Sequence, residues 1–239
     1  MRKTRIVLLS SLLTAAAAVL LAALYLTGVL QFNTPSKERY PVRGVDVSHY
    51  QGKIDWETLS AQGISFAYIK ATEGSSSTDE RFPENWSGAG KTGLRIGAYH
   101  FFSFESAGKT QAENFISAVG AVPGMLPPAV DVEPYGDFDE MTPEVLNELS
   151  VWLADVGAHY GMKPVIYTTA GYYGTLREAF PEHDIWLRSV YGKPSGKTAW
   201  TFWQYSCRMK LNGYDGDEKF IDMNVFAGTE AEFKAYGAS

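Results

Sequence analysis

Short apolar runs alternate with longer, partly polar stretches along most of this chain. Eight of the runs are rich in β-branched and aromatic residues and are bounded by Gly, Pro or charged residues, which is typical of buried strands. The predicted strands cover residues 44–48, 65–70, 95–102, 129–133, 164–168, 184–188, 201–205 and 220–224.

Helical periodicity marks several of the segments between these strands. The clearest helix follows the fourth strand, where Thr142 suits the N-cap, Pro143 the first position and Gly161 the stop. A second helix is predicted over residues 109–119. Shorter ones are predicted over residues 83–92 and 172–180.

Alternation of strands and helices at this spacing predicts a parallel α/β sheet, and the length of the chain suits a small β/α barrel. The last two connections, residues 190–200 and 206–219, are rich in Gly and Lys and lack a helical period. We therefore expect a flattened, TIM-barrel-like fold that is irregular and incomplete at its C-terminal end.

The N-terminal segment differs from the rest of the chain. Residues 6–30 form an almost uninterrupted apolar run of about 25 residues behind a basic tail at residues 1–5. Crossing a bilayer takes about 20 apolar residues, whereas the apolar part of a secretory signal has about 7–15. We therefore predict a single-pass transmembrane signal anchor with the protein outside the cell, and secretion after signal cleavage as the alternative. Residues 31–43 are predicted to be a linker, and residues 44–239 one catalytic domain.

Charge and cysteine content narrow the range of partners. The net charge of −6 argues against a nucleic-acid partner. Cys207 is the single cysteine, which excludes an intramolecular disulfide and suggests a bacterial surface for an exported protein. Aromatic residues make up 14% of the chain and serve either a large core or a sugar-stacking surface, which composition does not separate. We expect a monomer without a cofactor.

Polar residues follow the predicted strands where they end, which in a parallel barrel is the functional face. These residues are Asp46, Lys70, Glu73, Tyr99, His100, Asp131, Glu133, Tyr167, Gln204 and Asp222.

Asp131 and Glu133 are the most informative of them. Side chains alternate along a strand, so both point to one face, with Cα atoms roughly 6.5–7 Å apart. Like charges this close raise one pKa, which leaves one carboxyl able to donate a proton while the other stays ionised. Hydrolysis of a glycosidic bond uses such a pair, a carboxyl that donates a proton and a carboxylate that stays ionised. A buried ion-pair site with Lys70 or Arg95 is the structural alternative.

Five stretches in order along the chain resemble the family 25 glycoside hydrolases, the lysozymes that cut peptidoglycan. They are residues 44–56, 66–74, 95–102, 129–133, and 202–206 with 221–224. The resemblance implies a flattened, incomplete barrel and hydrolysis of the β-1,4 bond between N-acetylmuramic acid and N-acetylglucosamine. The carboxylates of the family correspond to Asp46, Asp131, Glu133 and Asp222. Arg188 stands where the family often has a small residue, and Tyr50 where tryptophan is common.

Within this resemblance we predict Glu133 as the general acid, with Asp131 and Asp46 keeping their charge and raising its pKa. Asp131 either attacks directly or orients the 2-acetamido group of the substrate as the nucleophile, and the second route is modestly favoured. The predicted substrate-binding residues are Asp222, Tyr99, Tyr167, Trp203, Gln204 and Glu73.

Structural interpretations compete for several of these positions. Tyr99, Tyr167 and Trp203 either fill the core or stack on sugar rings. Lys70 and Glu73 are interpreted first as an ion pair. His49 and His100 lack metal-ligand spacing, so hydrogen-bonded structural roles are expected, and no metal site is predicted. The alternative function is a catalytically inactive module that binds cell-wall sugars.

Overall fold

Eight strands close into a barrel in the computed structural model, which describes residues 2–120 and 122–237. The order around the barrel is β1-β2-β4-β5-β6-β7-β8-β9, and β9 pairs with β1 to close it. A short strand of two residues, β3 (Ser77–Thr78), pairs with the end of β2. The barrel strands are β1 (Arg43–Val47), β2 (Phe66–Glu73), β4 (Arg95–Phe101), β5 (Ala129–Val132), β6 (Val165–Thr169), β7 (Ile185–Arg188), β8 (Phe202–Met209) and β9 (Ile221–Phe226). The predicted barrel is therefore confirmed.

One strand departs from the predicted parallel arrangement. β9 runs antiparallel to both β8 and β1, whereas the other neighbours around the barrel are parallel. Parallel neighbours need a crossover that returns the chain to the starting end of the sheet, usually through a helix. The segment between Met209 and Ile221 contains no helix, so the chain turns back at the end it has just reached. This reversal accounts for the irregular C-terminal part of the barrel.

The helices are α1 (Arg2–Leu26), α2 (Trp56–Ser60), α3 (Phe82–Ala89), α4 (Gly108–Ala118), α5 (Pro143–Tyr160), α6 (Tyr173–Ala179) and α7 (Glu230–Ala235). Helices α2 to α6 pack against the outside of the barrel. Thr142 caps α5 by accepting from the Val145 amide, and Gly161 ends that helix with φ 67°. Asp55 caps α2 by accepting from the Thr58 amide at 3.2 Å.

Two apolar layers determine where the site can lie. One lies between the strands and the helices, and the other fills the barrel interior. In the interior, Phe233 of α7 packs against Phe66 at the start of β2 and Phe226 at the end of β9, closing the N-terminal end of the barrel. Tyr68 and Trp186 stack above them with ring centroids 4.7 Å apart. Aromatic and aliphatic side chains thus fill the interior up to about its middle, and the carboxyls of the site lie beyond them toward the other end.

The segment that precedes the barrel is packed onto it. The Asn33 side chain is 8% exposed and donates to the carbonyl oxygens of Ser189 at 2.7 Å and Tyr205 at 3.1 Å. This part of the predicted linker therefore lies against the domain. Among the residues that the structure describes, no helix combines the length and the apolar character needed to cross a membrane. The anchor predicted at residues 6–30 gains no support from the structure and stays a prediction.

Candidate active site

A cavity of about 580 Å³ opens at the carboxyl end of the parallel strands. Its lining combines carboxyls with aromatic rings, which is typical of a carbohydrate site. Of the predicted site residues, it brings together Asp46, Lys70, Glu73, Tyr99, Asp131, Glu133, Tyr167 and Asp222.

The strand register explains why these carboxyls converge. Asp131 of β5 lies beside Phe101 of β4 and Tyr167 of β6, and Asp46 of β1 lies directly opposite Asp222 of β9. Asp222 is near the start of its strand, not at the end as the sequence suggested. Because β9 is antiparallel, its beginning lies at the same end of the barrel as the carboxyl ends of the others.

Glu73 reaches the cavity through a local irregularity. The pairing of β2 with β4 shifts between Lys70 and Thr72, so one extra residue enters β2. A bulge of this kind reverses the alternation of side chains and re-aims those that follow. Lys70 and Glu73 therefore share the cavity wall, with Nζ and Oε2 2.6 Å apart. Their interpretation as an ion pair is confirmed.

Asp46 is held by a network of amide groups. Gln204 donates its Nε2 to both oxygens of Asp46, at 3.0 and 3.3 Å, and Asn224 donates its Nδ2 to Oδ2 at 2.7 Å. Each amide is fixed in turn by an aromatic donor. The Tyr167 hydroxyl donates to Gln204 Oε1 at 3.0 Å, and the Trp186 indole donates to Asn224 Oδ1 at 2.7 Å. Since the carboxylate receives hydrogen bonds from donors that cannot rotate away, its position is well defined.

Sequence reasoning missed Asn224 and Trp186. Asn224 lies two residues beyond Asp222 on β9, and Trp186 two residues before Arg188 on β7, so strand alternation was the available signal.

Burial dominates the electrostatics of the four carboxyls. It raises the pKa of Asp222 well above its ordinary value, helped by the negative charge of Asp46. It also raises the pKa of Asp46, while hydrogen bonds from Asn224, Gln204 and Asp222 act in the opposite direction. The interaction between the two opposed aspartates therefore lowers the pKa of Asp46 and raises the pKa of Asp222.

Burial raises the pKa of both Asp131, on β5, and Glu133, directly after it. Burial raises the pKa of Glu133, against the lowering effect of Arg188, as expected for a general acid. Burial also raises the pKa of Asp131 well above its ordinary value, and the charges of Glu133 and Asp46 add to this. Burial therefore opposes the charged form of Asp131, and the expectation that Asp131 keeps its charge stays a prediction.

Trp203 does not belong to this cavity. Its side chain is 1% exposed, its indole donates to the Ser189 carbonyl at 3.0 Å, and it packs against Tyr40 and Trp200. Gln204, the next residue on β8, points into the barrel, so Trp203 must point outward. The sugar-binding role predicted for Trp203 does not fit this placement, and its core-filling alternative does.

The histidines have structural partners. His100 lies outside the barrel, bonded to Thr72 at 2.7 Å and Gln111 at 3.1 Å, and burial lowers its pKa to about 4. His49 contacts the buried Asp79 at 2.7 Å. The expected hydrogen-bonded roles are confirmed for both.

The comparisons with known proteins identify the class of enzyme. The sequence model of the glycosyl hydrolases family 25 matches residues 45–214. This chain therefore belongs to glycoside hydrolase family 25 and is an enzyme of the lysozyme, or muramidase, class.

Individual relatives agree with this family. Lysozyme M1 of Streptomyces globisporus is 36% identical over 210 residues, which cover 81% of this chain and 70% of that protein. The structure of a family 25 glycosyl hydrolase from Bacillus anthracis superposes with a TM-score of 0.80 at 48% identity, covering 87% of this chain and 99% of that one. The bacterial lysozyme from Streptomyces coelicolor gives a TM-score of 0.73 at 34% identity, covering 82% and 96%.

Proposed function

We propose that this enzyme hydrolyses the β-1,4 bond between N-acetylmuramic acid and N-acetylglucosamine in peptidoglycan, with Glu133 as the general acid. The observation that supports this most is the convergence of four carboxyls, the buried Asp46 and the partly buried Asp131, Glu133 and Asp222, in a single open cavity. Glycoside hydrolysis needs a proton for the leaving oxygen and negative charge near an oxocarbenium-like centre. A cluster of acids whose burial raises their pKa supplies both functions near neutral pH.

Glu133 suits the acid role because its pKa is raised while it remains partly exposed at the cavity wall. A general acid has to reach the leaving oxygen, and it works best when its pKa is close to the operating pH. Arg188 and Lys70 oppose the effect of burial, so they keep the pKa of Glu133 from rising as far as burial alone would carry it.

Asp131 suits the route in which the substrate provides its own nucleophile. Among the described residues, Asp131 Oδ1 is buried and has no hydrogen-bond partner. A buried acceptor of this kind is costly unless a bound group donates to it. The N–H of a 2-acetamido group would supply that donor, hold the acetamido oxygen toward the anomeric carbon, and favour the charged form of Asp131. We therefore favour substrate assistance over direct attack by Asp131.

Purified peptidoglycan provides the test of the bond and of the acid. Mass analysis of the digest should show fragments with muramic acid at the new reducing end. Glu133→Gln should lower the release of reducing sugar at least about a hundredfold, because general acid catalysis contributes about 10²–10⁴-fold. Glu182→Gln, at an exposed carboxylate paired with Lys163, is the matched control and should be unchanged. Near-normal turnover by Glu133→Gln would contradict the assignment.

The route is tested with de-N-acetylated glycan. Substrate assistance predicts that removing the acetyl group from the sugar on the non-reducing side of the cut abolishes turnover, whereas direct attack predicts that turnover continues. The same assay with an added chelator tests for metal-dependent hydrolysis. An enzyme that needs a metal would lose activity, whereas the mechanism proposed here predicts unchanged turnover.

Peptidoglycan lies outside the cytoplasmic membrane, so we place the action of the enzyme there, either tethered through residues 6–30 or after secretion. Cell fractionation with mass analysis of the N-terminus of the mature protein distinguishes the two. The inactive sugar-binding module is not favoured, because all four expected carboxyls are present. Tight binding of the wild type to peptidoglycan without turnover would reverse that preference.

A further inference from the structure

A second cavity of about 300 Å³ adjoins the catalytic one. It is formed by the segment that precedes the barrel, residues 25–33, on one side and by the end of β7 with the following loop on the other. Its volume is at the lower end of the range of small-ligand sites, about 300–1,000 Å³. The segment lies outside residues 45–214, the part of the chain that the family model matches.

Hydrogen bonds hold the added wall in place. Asn33, buried against the barrel, donates to the carbonyl oxygens of Ser189 and Tyr205. Gln31 donates to the Arg208 carbonyl at 2.9 Å and accepts from the Ser206 hydroxyl at 2.9 Å. The wall is therefore joined to β8 through two of its side chains, Gln31 and Asn33, and the cavity is a built feature of the fold.

The two cavities lie on either side of Cys207 in β8. Cys207 lines both of them, one residue beyond Ser206 in the strand that also carries Gln204 of the catalytic network. A glycan strand that lies across the carboxyls and continues past Cys207 would enter the second cavity.

The exposed groups of the second cavity suit a sugar ring. Tyr191 is 83% exposed and Phe32 is 71% exposed, so both present aromatic surface to solvent. Tyr25 supports Phe32 with a ring-centroid distance of 5.7 Å. Broad aromatic faces beside polar groups bind the apolar face of a pyranose while its hydroxyls stay hydrogen-bonded.

We propose that residues 31–33, which follow the predicted anchor, and the loop carrying Tyr191 form an additional subsite that binds an N-acetylated sugar ring of the same glycan strand, away from the bond that is cut. This inference rests on the proposed function. The subsite makes long glycan strands better substrates than short fragments, because only long strands occupy both cavities at once.

Glycan fragments of graded length test the subsite with the full chain. Binding is measured in the Glu133→Gln background, and turnover in the active enzyme. Phe32→Ala and Tyr191→Ala should each weaken binding and raise KM about tenfold for long fragments, leaving kcat and short-fragment binding unchanged. Phe32→Tyr and Tyr191→Phe keep the rings and should behave as the wild type.

Two results overturn the subsite. One is unchanged affinity for long fragments in both alanine variants, and the other is an equal loss for long and short fragments. Failure of the proposed function looks different, because then the wild type releases no reducing sugar from fragments of any length, while length-dependent binding remains measurable.

Discussion

Replacing Asn224 by leucine should destabilise the protein and disable its site together. Asn224 is fully buried and joins the Trp186 indole to the Asp46 carboxylate, each at 2.7 Å. Leucine has similar bulk but offers neither the acceptor nor the donor. The substitution therefore leaves a buried N–H without a partner and removes one hydrogen bond from a buried carboxylate.

The magnitude follows from these two losses. A buried donor left without a partner costs about 1–3 kcal/mol, and a hydrogen bond to a charged group contributes about 1.5–3 kcal/mol. We expect the free energy of unfolding to fall by about 2.5–6 kcal/mol at neutral pH, a large part of the roughly 5–15 kcal/mol that keeps a typical protein folded. The pKa of Asp46 should rise as well, because the Asn224 donor lowers it.

Urea unfolding followed by fluorescence and by circular dichroism measures this loss. A double-mutant cycle with Trp186→Phe isolates the indole–amide bond, since the phenyl ring has no N–H to leave unpaired. The coupling energy should be about 1–3 kcal/mol. A loss below about 1 kcal/mol in the single variant, or a coupling energy near zero, would refute the reasoning that this network fixes Asp46.

Two further changes test the electrostatics of the site. Asp131→Asn should stabilise the protein at neutral pH. The pKa of Asp131 is higher in the folded than in the unfolded protein. The contribution of this carboxyl to stability is therefore complete below the unfolded pKa of about 4 and is lost as the pH rises. The melting temperature of the variant should thus exceed that of the wild type at pH 7 but not at pH 3. Asp155→Asn, at an exposed carboxyl, is the control and should leave the melting temperature unchanged. An equal gain at both pH values would show that the raised pKa of Asp131 is not the cause. Arg188→Met should move the alkaline limb of the kcat/KM profile to higher pH, because the Arg188 charge lowers the pKa of Glu133. Lys163→Met, at a distant exposed ion pair, should leave the limb in place, and an unmoved limb in Arg188→Met would show that Arg188 does not act on the acid.

Strand positions and candidate acids could be predicted because both follow from short-range pattern. Apolar runs bounded by polar residues mark strands, and the carboxyl ends of barrel strands meet at one face. Asp131 and Glu133 were therefore placed together without knowledge of the fold. The direction of β9 could not be predicted this way, because it depends on how the segment from Met209 to Ile221 turns, and that segment has no periodic pattern.

The errors at single residues have a different cause. Trp203 was assigned to the site by residue type, although its neighbour Gln204 already occupies the inward face of β8 and the two cannot both point inward. Asn224 could not be singled out by charge, because an amide is neutral and does not titrate as a carboxyl does. The packing of Asn33 onto the barrel was unpredictable, since its partners are backbone carbonyls more than 150 residues away in the chain.

The chemistry of the site depends on the apolar packing beneath it. Burial is the first cause of the raised pKa at each of the four carboxyls, and opposite charges from Arg188 or Lys70 only moderate it. The stacked rings of Tyr68 and Trp186 lie in the barrel interior below these acids, and Trp186 also fixes the amide that orients Asp46. The aromatic interior therefore does more than stabilise the barrel: it keeps water from solvating the carboxylates from below. Substitutions that open this interior to water should consequently lower the pKa values of the acids and reduce activity even where the fold is retained.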